Sequence, residues 1–331
     1  MHIREYHGVH ARQFREDIMA TSQPAILRGV ATDWPAVQAG ATAQGIAAYL
    51  KERDTGAGFE MLAGPAEIKG RFFYNADMTG FNFERRPATI SSLTDALLAA
   101  AEQTDPSSFA AQAVEARTTV RGFLDENRMD LIGRSVSPRL WIGNRVIVSA
   151  HHDMFSNIAV VVAGRRRFTL FPPDQVANLH LGPFEFTPAG TPVSLIDFDN
   201  PDFARFPGFD SALETAQVAD LAPGDAIYIP YMWWHHVRSL DDFNLLANYW
   251  WNEATPAQPG LKPVDALVHA FLAFSGLPDE QRDAWAPMFA QLVFGKDDAR
   301  NLPPDKSGIR GHLTEEAKAY IRRQLGALMT R

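Results

Sequence analysis

The sequence contains no cysteine, which excludes disulfide bonds, thiolate-bound zinc and iron–sulfur clusters. A transition-metal site in this chain would therefore be built from histidine, aspartate and glutamate. No apolar run approaches the roughly 18 residues that a membrane-spanning helix needs, and the opening segment MHIREYHGVHARQF lacks the apolar centre of a signal peptide. We therefore expect a soluble cytoplasmic protein.

An excess of basic residues is also missing, since 31 Lys and Arg stand against 39 Asp and Glu and leave a net charge of −8. Binding of duplex nucleic acid normally needs a basic face, so a nucleic-acid partner is not expected. The short run GRRRF (164–168) is the one local basic candidate. What the 331 residues do have is apolar content, 46% of the chain, which is enough for one large domain or a domain with an appendage.

The residue pattern divides the chain into three regions. Over 138–255 short runs of β-branched and aromatic residues alternate with turn residues, without intervening helices, which indicates an antiparallel sandwich or barrel. Residues 1–137 mix strand and helix patterns, and 256–331 carry apolar residues at the three- and four-residue spacing of helices. We predict a mainly β fold with flanking helices, organised as one domain over 1–255 followed by a helical segment. The clearest helical spacing before the strands lies at 42–53 and 89–103.

Two histidines stand directly before an aspartate in the stretch VSAHHDMFSN. Side chains on a strand alternate between its two faces. His151 and Asp153 therefore point to one face, and His152 points to the other. An isolated H-x-D pattern on a strand is usually structural, so this motif alone does not establish a metal site.

A second strand pattern with a histidine pair occurs in PGDAIYIPYMWWHHVRSL (223–240). Its turn, buried strand and aromatic residues leading to His235 and His236 are typical of a barrel strand that delivers a ligand to a cavity. Two histidines and one carboxylate on neighbouring strands would occupy one face of a metal octahedron. The three remaining positions stay open, as in non-haem Fe(II) oxygenases.

Several motifs in one order resemble a known family. The segments HHDMFSNIAVVVAGRRRFTLFPPDQ, LIDFDNPDFARFPGF, PGDAIYIPYMWWHHVRSL and NYWW follow one another, and PAILRGVATDWPAV precedes them. Together they are similar to the cupin-like JmjC hydroxylases, which include the asparaginyl hydroxylase that inhibits hypoxia-inducible factor. The resemblance implies a double-stranded β-helix, or jelly roll, that binds Fe(II) and the cosubstrate 2-oxoglutarate. It also implies hydroxylation of a protein side chain or a small molecule, with decarboxylation of 2-oxoglutarate to succinate.

The resemblance assigns the iron ligands to His151, Asp153 and His235, in agreement with strand alternation. His152 would then lie at the edge of the cavity near the substrate, and His236 would be packed structurally. Related halogenases replace the carboxylate ligand with a small residue that leaves space for a halide. Asp153 therefore predicts hydroxylation instead of halogenation.

The cosubstrate site is implied by further matches. Arg166 stands where the family's asparaginyl hydroxylase carries the lysine that binds the far carboxylate of 2-oxoglutarate, and its planar guanidinium also suits a carboxylate. Strand alternation points Arg166 away from both neighbouring arginines. The other matched positions are the amides Asn157 and Asn248 and the indole of Trp250.

Two hydroxyl-bearing positions of the family are altered here, to Val148 and Phe109. The far carboxylate would then depend on Arg166, with Tyr74 or Ser149 as the supporting hydroxyl. Tyr74 lies in the aromatic segment RFFYNADMTGFNFERRP, which is interpreted either as a packed strand and turn or as part of a pocket wall.

The last helices resemble the dimerising tail of the family and predict a homodimer, while a helical lid on the barrel is the alternative. Two other functions remain open. The chain could be a non-catalytic or differently metallated cupin that binds a small ligand. It could also be a zinc or manganese cupin isomerase, although such sites commonly carry an extra histidine or glutamate ligand.

Overall fold

A computed structural model describes residues 2–133, 135–252, 261–295, 299, 301–311 and 313–329. The chain divides into two compact units, 1–252 and 253–331, and the expected boundary at 255–256 lies outside the described residues. None of the described helices combines the length and the apolar character needed to cross a membrane.

The described strands of the first unit are β1 Arg4–His7, β2 Ala25–Arg28, β3 Phe59–Gly64, β4 Glu84–Ala88, β5 Ser108–Glu115, β6 Arg139–Gly143, β7 Ile147–His152, β8 Ser156–Ala163, β9 Arg166–Phe171, β10 Gln217–Leu221, β11 Ala226–Ile229, β12 Trp234–Ser239 and β13 Asn244–Trp251. Its helices are α1 Ala11–Gln13, α2 Pro35–Ala39, α3 Ala43–Glu52, α4 Ile90–Ala101, α5 Ala116–Thr119, α6 Phe123–Glu126 and α7 Phe209–Thr215.

The strands form two sheets that face each other. One has the order β1-β2-β11-β8-β13-β6-β5-β3-β4, and the other has the order β10-β9-β12-β7. Apolar side chains from both sheets meet in one buried cluster, with Val161 and Ile227 from the larger sheet and Phe168, Leu170 and Val237 from the smaller one. The described strands of both sheets pair antiparallel except for β1 and β2, which pair in parallel. This two-layer arrangement confirms the predicted mainly β fold of the cupin, or jelly-roll, class.

The outer face of the larger sheet is covered by helices. Residues of α3 and α4, such as Leu50 and Leu97, pack in the same cluster as Val160 of β8. Both helices lie where the spacing predicts them, and a threonine side chain caps the start of each. Thr42 accepts a hydrogen bond from the backbone of the third helical residue, and Thr89 forms a reciprocal capping box with Ser92.

One helix interrupts the region that was expected to hold strands alone. α7 follows the loop LIDFDNPDFARFPGF and is buried through Phe209, which packs with Phe206 and Trp234. The loop is thus fixed by aromatic packing against β12 and not by strand pairing.

The turn before β9 also has a fixed geometry. Gly164 has φ +69°, and a Cβ there would lie 2.5 Å from the Phe243 carbonyl oxygen, so only glycine fits where β9 and Arg166 begin.

The described part of the second unit contains α8 Pro263–Phe274, α9 Asp279–Leu292 and α10 Glu315–Met329. Phe274 at the end of α8 meets Trp285 and Phe289 of α9 edge-to-face, with ring centroids 5.8 and 5.7 Å apart, so the two helices pack together. The helical character predicted for this region is therefore confirmed in its described residues.

Candidate metal centre

The candidate metal ligands come from two adjacent strands of the smaller sheet. His151 near the end of β7 is the direct cross-strand partner of His235 on β12, and their ring centroids are 4.2 Å apart. Asp153 follows β7, and its Oδ2 lies 3.6 Å from Nε2 of His235. One ligand atom from each of the three residues lies within 4.8 Å of the other two. Such a grouping could hold one metal ion.

Hydrogen bonds fix the state of both imidazoles. Nδ1 of His151 lies 2.9 Å from the Ser149 carbonyl oxygen, and Nδ1 of His235 lies 3.1 Å from the Trp233 carbonyl oxygen. Because a carbonyl can only accept, each Nδ1 carries a proton, and in the neutral ring Nε2 is then the nitrogen that offers its lone pair. Burial, with His151 close by, lowers the pKa of His235 and favours its neutral, ligating form.

The carboxylate completes the set. Oδ2 of Asp153 is buried and has no hydrogen-bond partner among the described residues. A buried carboxylate oxygen without a partner is strongly unfavourable unless a cation or donor satisfies it. Two imidazoles and one carboxylate on one side of a cavity form the donor set of a non-haem Fe(II) site.

The other two histidines of these strands lie away from the three ligands. His152 is partly buried, and its ring meets Trp234 edge-to-face at 4.7 Å. His236 is buried and stacks on Phe198 at 4.5 Å, and this burial lowers its pKa to about 3. His152 still adjoins the cavity wall, because its backbone carbonyl accepts a hydrogen bond of 3.5 Å from the Thr191 hydroxyl.

A β-bulge shapes the strand before the first ligand. His151 pairs with His235 and Val148 pairs with Val237, so two residues of β7 oppose the single residue His236 of β12. The extra residue reverses the alternation, and Val148 therefore faces the same side as His151. Val148 and Val237 contribute to an apolar cavity floor, together with Ala159, Phe168, Ile229 and Leu246.

A cavity of about 220 Å³ between the two sheets contains the three ligands. Arg166, the first residue of β9, also lines this cavity and is only 4% exposed. One of its terminal nitrogens donates to the Trp141 carbonyl oxygen at 3.3 Å, while its buried Nε has no hydrogen-bond partner in the described chain. Its neighbours Arg165 and Arg167 instead form surface ion pairs with aspartates.

No carboxylate of the described residues lies within ion-pair distance of Arg166. Burial lowers the pKa of Arg166 to about 9, so the guanidinium remains charged at neutral pH. A buried cation without a counter-ion is costly for a folded protein. The site therefore favours an anionic ligand within the cavity.

The two asparagines and the tryptophan assigned to the cosubstrate site also lie together on the cavity wall. Trp250 and Asn157 are cross-strand partners. When the Asn248 amide is oriented so that both of its ends are paired, its oxygen accepts from Nε1 of Trp250 at 3.2 Å and from Nδ2 of Asn157 at 3.1 Å. These contacts form a polar wall beside the metal ligands.

The structure does not bring Tyr74 to the cavity. Its hydroxyl donates to the Phe186 carbonyl oxygen at 2.7 Å, and its ring packs against Phe81 and Phe186. The packed-segment interpretation of 71–87 is therefore the correct one at Tyr74. Ser149, the other candidate hydroxyl, lies on the bulge of β7 with its Oγ buried and unpaired, and it is not among the lining residues.

Phe109 also stays off the cavity, since it packs against the core between the larger sheet and its helices. Two polar lining residues were not found from the sequence, Gln112 and Thr191. Gln112 stands three residues after Phe109 on β5, in a strand that the pattern FAAQAV does not mark as functional. A glutamine among alanines gives no local signal of a site.

Comparisons with known proteins place these features in a family. Residues 11–256 match the family described as the cupin-like domain. Among similar proteins are tRNA wybutosine-synthesizing protein 5 of Gallus gallus, 31% identical over 41% of this chain and 44% of that protein, and HSPB1-associated protein 1 of Bos taurus, 28% identical over 74% of this chain and 52% of that protein. A third is lysine-specific demethylase JMJ31 of Arabidopsis thaliana, 32% identical over 31% of this chain and 18% of that protein. The chain thus spans about half the length, or less, of the curated relatives it matches. Because the matched region covers most of the chain, with every described strand except β1 and all three candidate ligands, the chain belongs to the cupin-like, JmjC-type family that its motifs resemble.

Proposed function

We propose that this chain is an Fe(II)- and 2-oxoglutarate-dependent dioxygenase that hydroxylates a protein side chain or a small molecule. The observation that carries the proposal is the combination, in one cavity, of the three candidate ligands and a buried Arg166 that has no ion-pair partner among the described residues and whose Nε has no hydrogen-bond partner there. The three candidate ligands would bind a metal ion, and the guanidinium of Arg166 would bind an anionic group at a distance from that metal. A chelating 2-oxo acid with a second carboxylate satisfies both.

Each group of residues would have a distinct task. His151, Asp153 and His235 would hold the iron from one side and leave the other coordination positions facing the cavity. Iron(II) and 2-oxoglutarate, when bound, would supply the oxidative decarboxylation to succinate and the hydroxylating power. Asn157 and Asn248 would orient the keto acid end of the cosubstrate.

The walls of the cavity would support this chemistry. Phe168, Val237 and Leu246 form an apolar floor that excludes water from the cosubstrate. In such a low-dielectric site the attraction between Arg166 and a carboxylate is stronger than it is in water. The indole of Trp250, fixed by its contact with Trp141 at 5.0 Å between ring centroids, closes one side.

The proposal is tested by anaerobic titration of the purified protein with Fe(II) and 2-oxoglutarate. We expect a weak visible charge-transfer band that requires both additions, because a keto acid must chelate the metal to produce it. Binding of the metal without such a band would contradict the proposal. The chain would then be better described as a non-catalytic or differently metallated cupin.

The substrate is proposed only as a class. The names of the relatives refer to tRNA wybutosine synthesis and to lysine demethylation, so similar proteins act on different kinds of molecule. For this chain the net charge of −8 favours a protein side chain or a small molecule over a nucleic acid. A cytoplasmic location stays a prediction.

We also propose a homodimer formed through the C-terminal helices. None of the described residues of α8 or α9 is buried, and Val268 and Leu272, four residues apart on one face of α8, are 55% and 75% exposed. Apolar surface of this kind marks an interaction site, and a twofold axis would let two copies cover the same patch.

Light scattering should therefore give twice the 36.7 kDa of one chain. A double variant, Val268→Glu with Leu272→Glu, should give the mass of a single chain, because buried carboxylates would oppose association. Gln38→Glu, on an exposed position of α2 outside the C-terminal helices, is the control and should remain dimeric. A single-chain mass for the unmodified protein would contradict the dimer.

A further inference from the structure

A second β-bulge lies on the cavity wall, in a strand where the sequence shows no functional signal. On β5, Ala111 pairs with Ile142 and Val114 pairs with Leu140 of β6. Gln112 and Ala113 therefore stand together opposite the single residue Trp141 of β6. Bulges next to active sites commonly redirect a side chain.

The bulge adopts a costly backbone conformation. Ala113 has φ +54°, in the left-handed region that residues other than glycine seldom adopt. The conformation is held by its neighbours, since a terminal nitrogen of Arg139 donates to the Ala113 carbonyl oxygen at 3.3 Å. A strained, locally stabilised residue beside a cavity is a recurring feature of functional sites.

The bulge brings the side chain of Gln112 to the cavity, where Gln112 and Ala113 both line the wall. The other two amides there, Asn157 and Asn248, contact each other, and Asn248 also contacts Trp250. The Gln112 amide forms no hydrogen bond with the described residues of the chain. It is thus an amide of the cavity wall whose donor and acceptor remain available.

Gln112 and the buried guanidinium of Arg166 both lie beside Trp141 of β6. The guanidinium of Arg166 donates to the Trp141 carbonyl oxygen, and Trp141 is the residue opposite the bulge. The apolar floor of the cavity, which includes Val148 and Phe168, has no hydroxyl group, and Tyr74 and Ser149 do not line the cavity. The hydroxyl of Thr191, which does line it, donates to the His152 carbonyl oxygen. An anion bound at Arg166 therefore needs a second donor, and Gln112 is suited to provide one.

We propose that Gln112 donates a hydrogen bond to the far carboxylate of 2-oxoglutarate beside Arg166. This inference rests on the proposed function. In this arrangement an amide on a bulged strand replaces the hydroxyl groups that the chain lacks at Val148 and Phe109. Gln112 is a positioning and selectivity residue for the cosubstrate, and it favours 2-oxo acids that carry a second carboxylate.

The test measures binding and does not require the unknown substrate. The full-length protein and Gln112→Met are titrated anaerobically, in the presence of Fe(II), with 2-oxoglutarate and with 2-oxobutyrate. The second compound keeps the keto acid end and lacks the far carboxylate. We expect the Kd for 2-oxoglutarate to rise about tenfold, as expected for one hydrogen bond to a charged group. The Kd for 2-oxobutyrate should change by less than about twofold, because this compound lacks the carboxylate that the Gln112 side chain would contact.

Two further variants make the result specific. Gln112→Glu should weaken 2-oxoglutarate more than Gln112→Met does, because it adds a negative charge beside the carboxylate. Gln38→Met makes the same change at an exposed position of α2 and should leave both Kd values unchanged. The affinity for Co(II) alone should be the same in all of these proteins, which shows that the metal site is intact.

Each other outcome has a definite meaning. An unchanged Kd for 2-oxoglutarate in Gln112→Met overturns the inference and leaves the proposed function intact. An equal rise for both keto acids also overturns it, because the bulge would then serve only to shape the cavity. A complete absence of the charge-transfer band in the unmodified protein overturns the proposed function, and the inference with it.

Discussion

Replacing Asp153 with alanine should abolish metal-dependent succinate formation. Asp153 supplies the sole carboxylate among the three candidate ligands, and its side chain is mostly buried. Mutating even an outer partner of a metal ligand typically lowers metal affinity or activity about 10- to 100-fold. Removal of a direct ligand should therefore reduce turnover more than about 100-fold, a loss that is measured as succinate released from 2-oxoglutarate.

The matched control for this variant is Asp242→Ala. Asp242 forms an ion pair of 2.7 Å with Arg145, and both side chains are largely exposed. Surface ion pairs of this kind contribute about 0–1 kcal/mol, so the control should fold and turn over normally. Succinate formation by Asp153→Ala at the rate of the control would show that the carboxylate does not hold a catalytic metal.

The grouping of the three candidate metal ligands could be predicted because its signal is local. The alternation of side chains along HHD separates His151 from His152, and the structure places them as that rule requires. The same reasoning chose Arg166 from three consecutive arginines, and Arg166 is the buried one. The helices α3 and α4 were also predictable, since spacing and capping threonines lie within each segment.

Features that depend on pairing between distant strands could not be predicted. The bulges of β5 and β7 exist only because each strand is aligned with a partner whose register is set elsewhere. They decide that Val148 and Gln112 reach the cavity, which no count along the sequence reveals. The position of Tyr74 away from the cavity depends partly on a distant contact as well, because Phe81 lies in the same segment as Tyr74 but Phe186, whose carbonyl oxygen accepts from the Tyr74 hydroxyl, lies 112 residues further along the chain.

The family resemblance implies the kind of cosubstrate, and Val148 and Phe109 are the positions where this sequence departs from the family pattern. In the proposed site, whose floor has no hydroxyl, recognition of the far carboxylate would depend on the buried charge of Arg166 and on the amide of Gln112. This arrangement concentrates cosubstrate recognition in few residues, so single substitutions there should have large effects.

Arg166→Met should lower affinity for 2-oxoglutarate about 100-fold or more without lowering the stability of the ligand-free protein. A bidentate, charge-assisted pair contributes roughly twice as much as neutral hydrogen bonds do, and a further loss follows because the carboxylate would be buried without a cation. In the ligand-free protein the guanidinium itself is buried without a counter-ion. Removing a buried charge that has no counter-ion removes its desolvation cost, so an apolar side chain of similar length should be neutral or stabilising there.

Affinity for 2-oxoglutarate should therefore fall while the stability of the ligand-free protein stays the same or rises, which distinguishes a binding residue from a structural one. Affinity is measured by the anaerobic titration, and the free energy of unfolding is measured by urea denaturation without ligand. Arg165→Met is the matched control, because Arg165 is 63% exposed and paired with Asp241, and it should change neither quantity greatly. If Arg166→Met instead destabilised the protein and left cosubstrate affinity unchanged, Arg166 would be a structural residue held by Trp141, and the charge in the cavity would require another explanation.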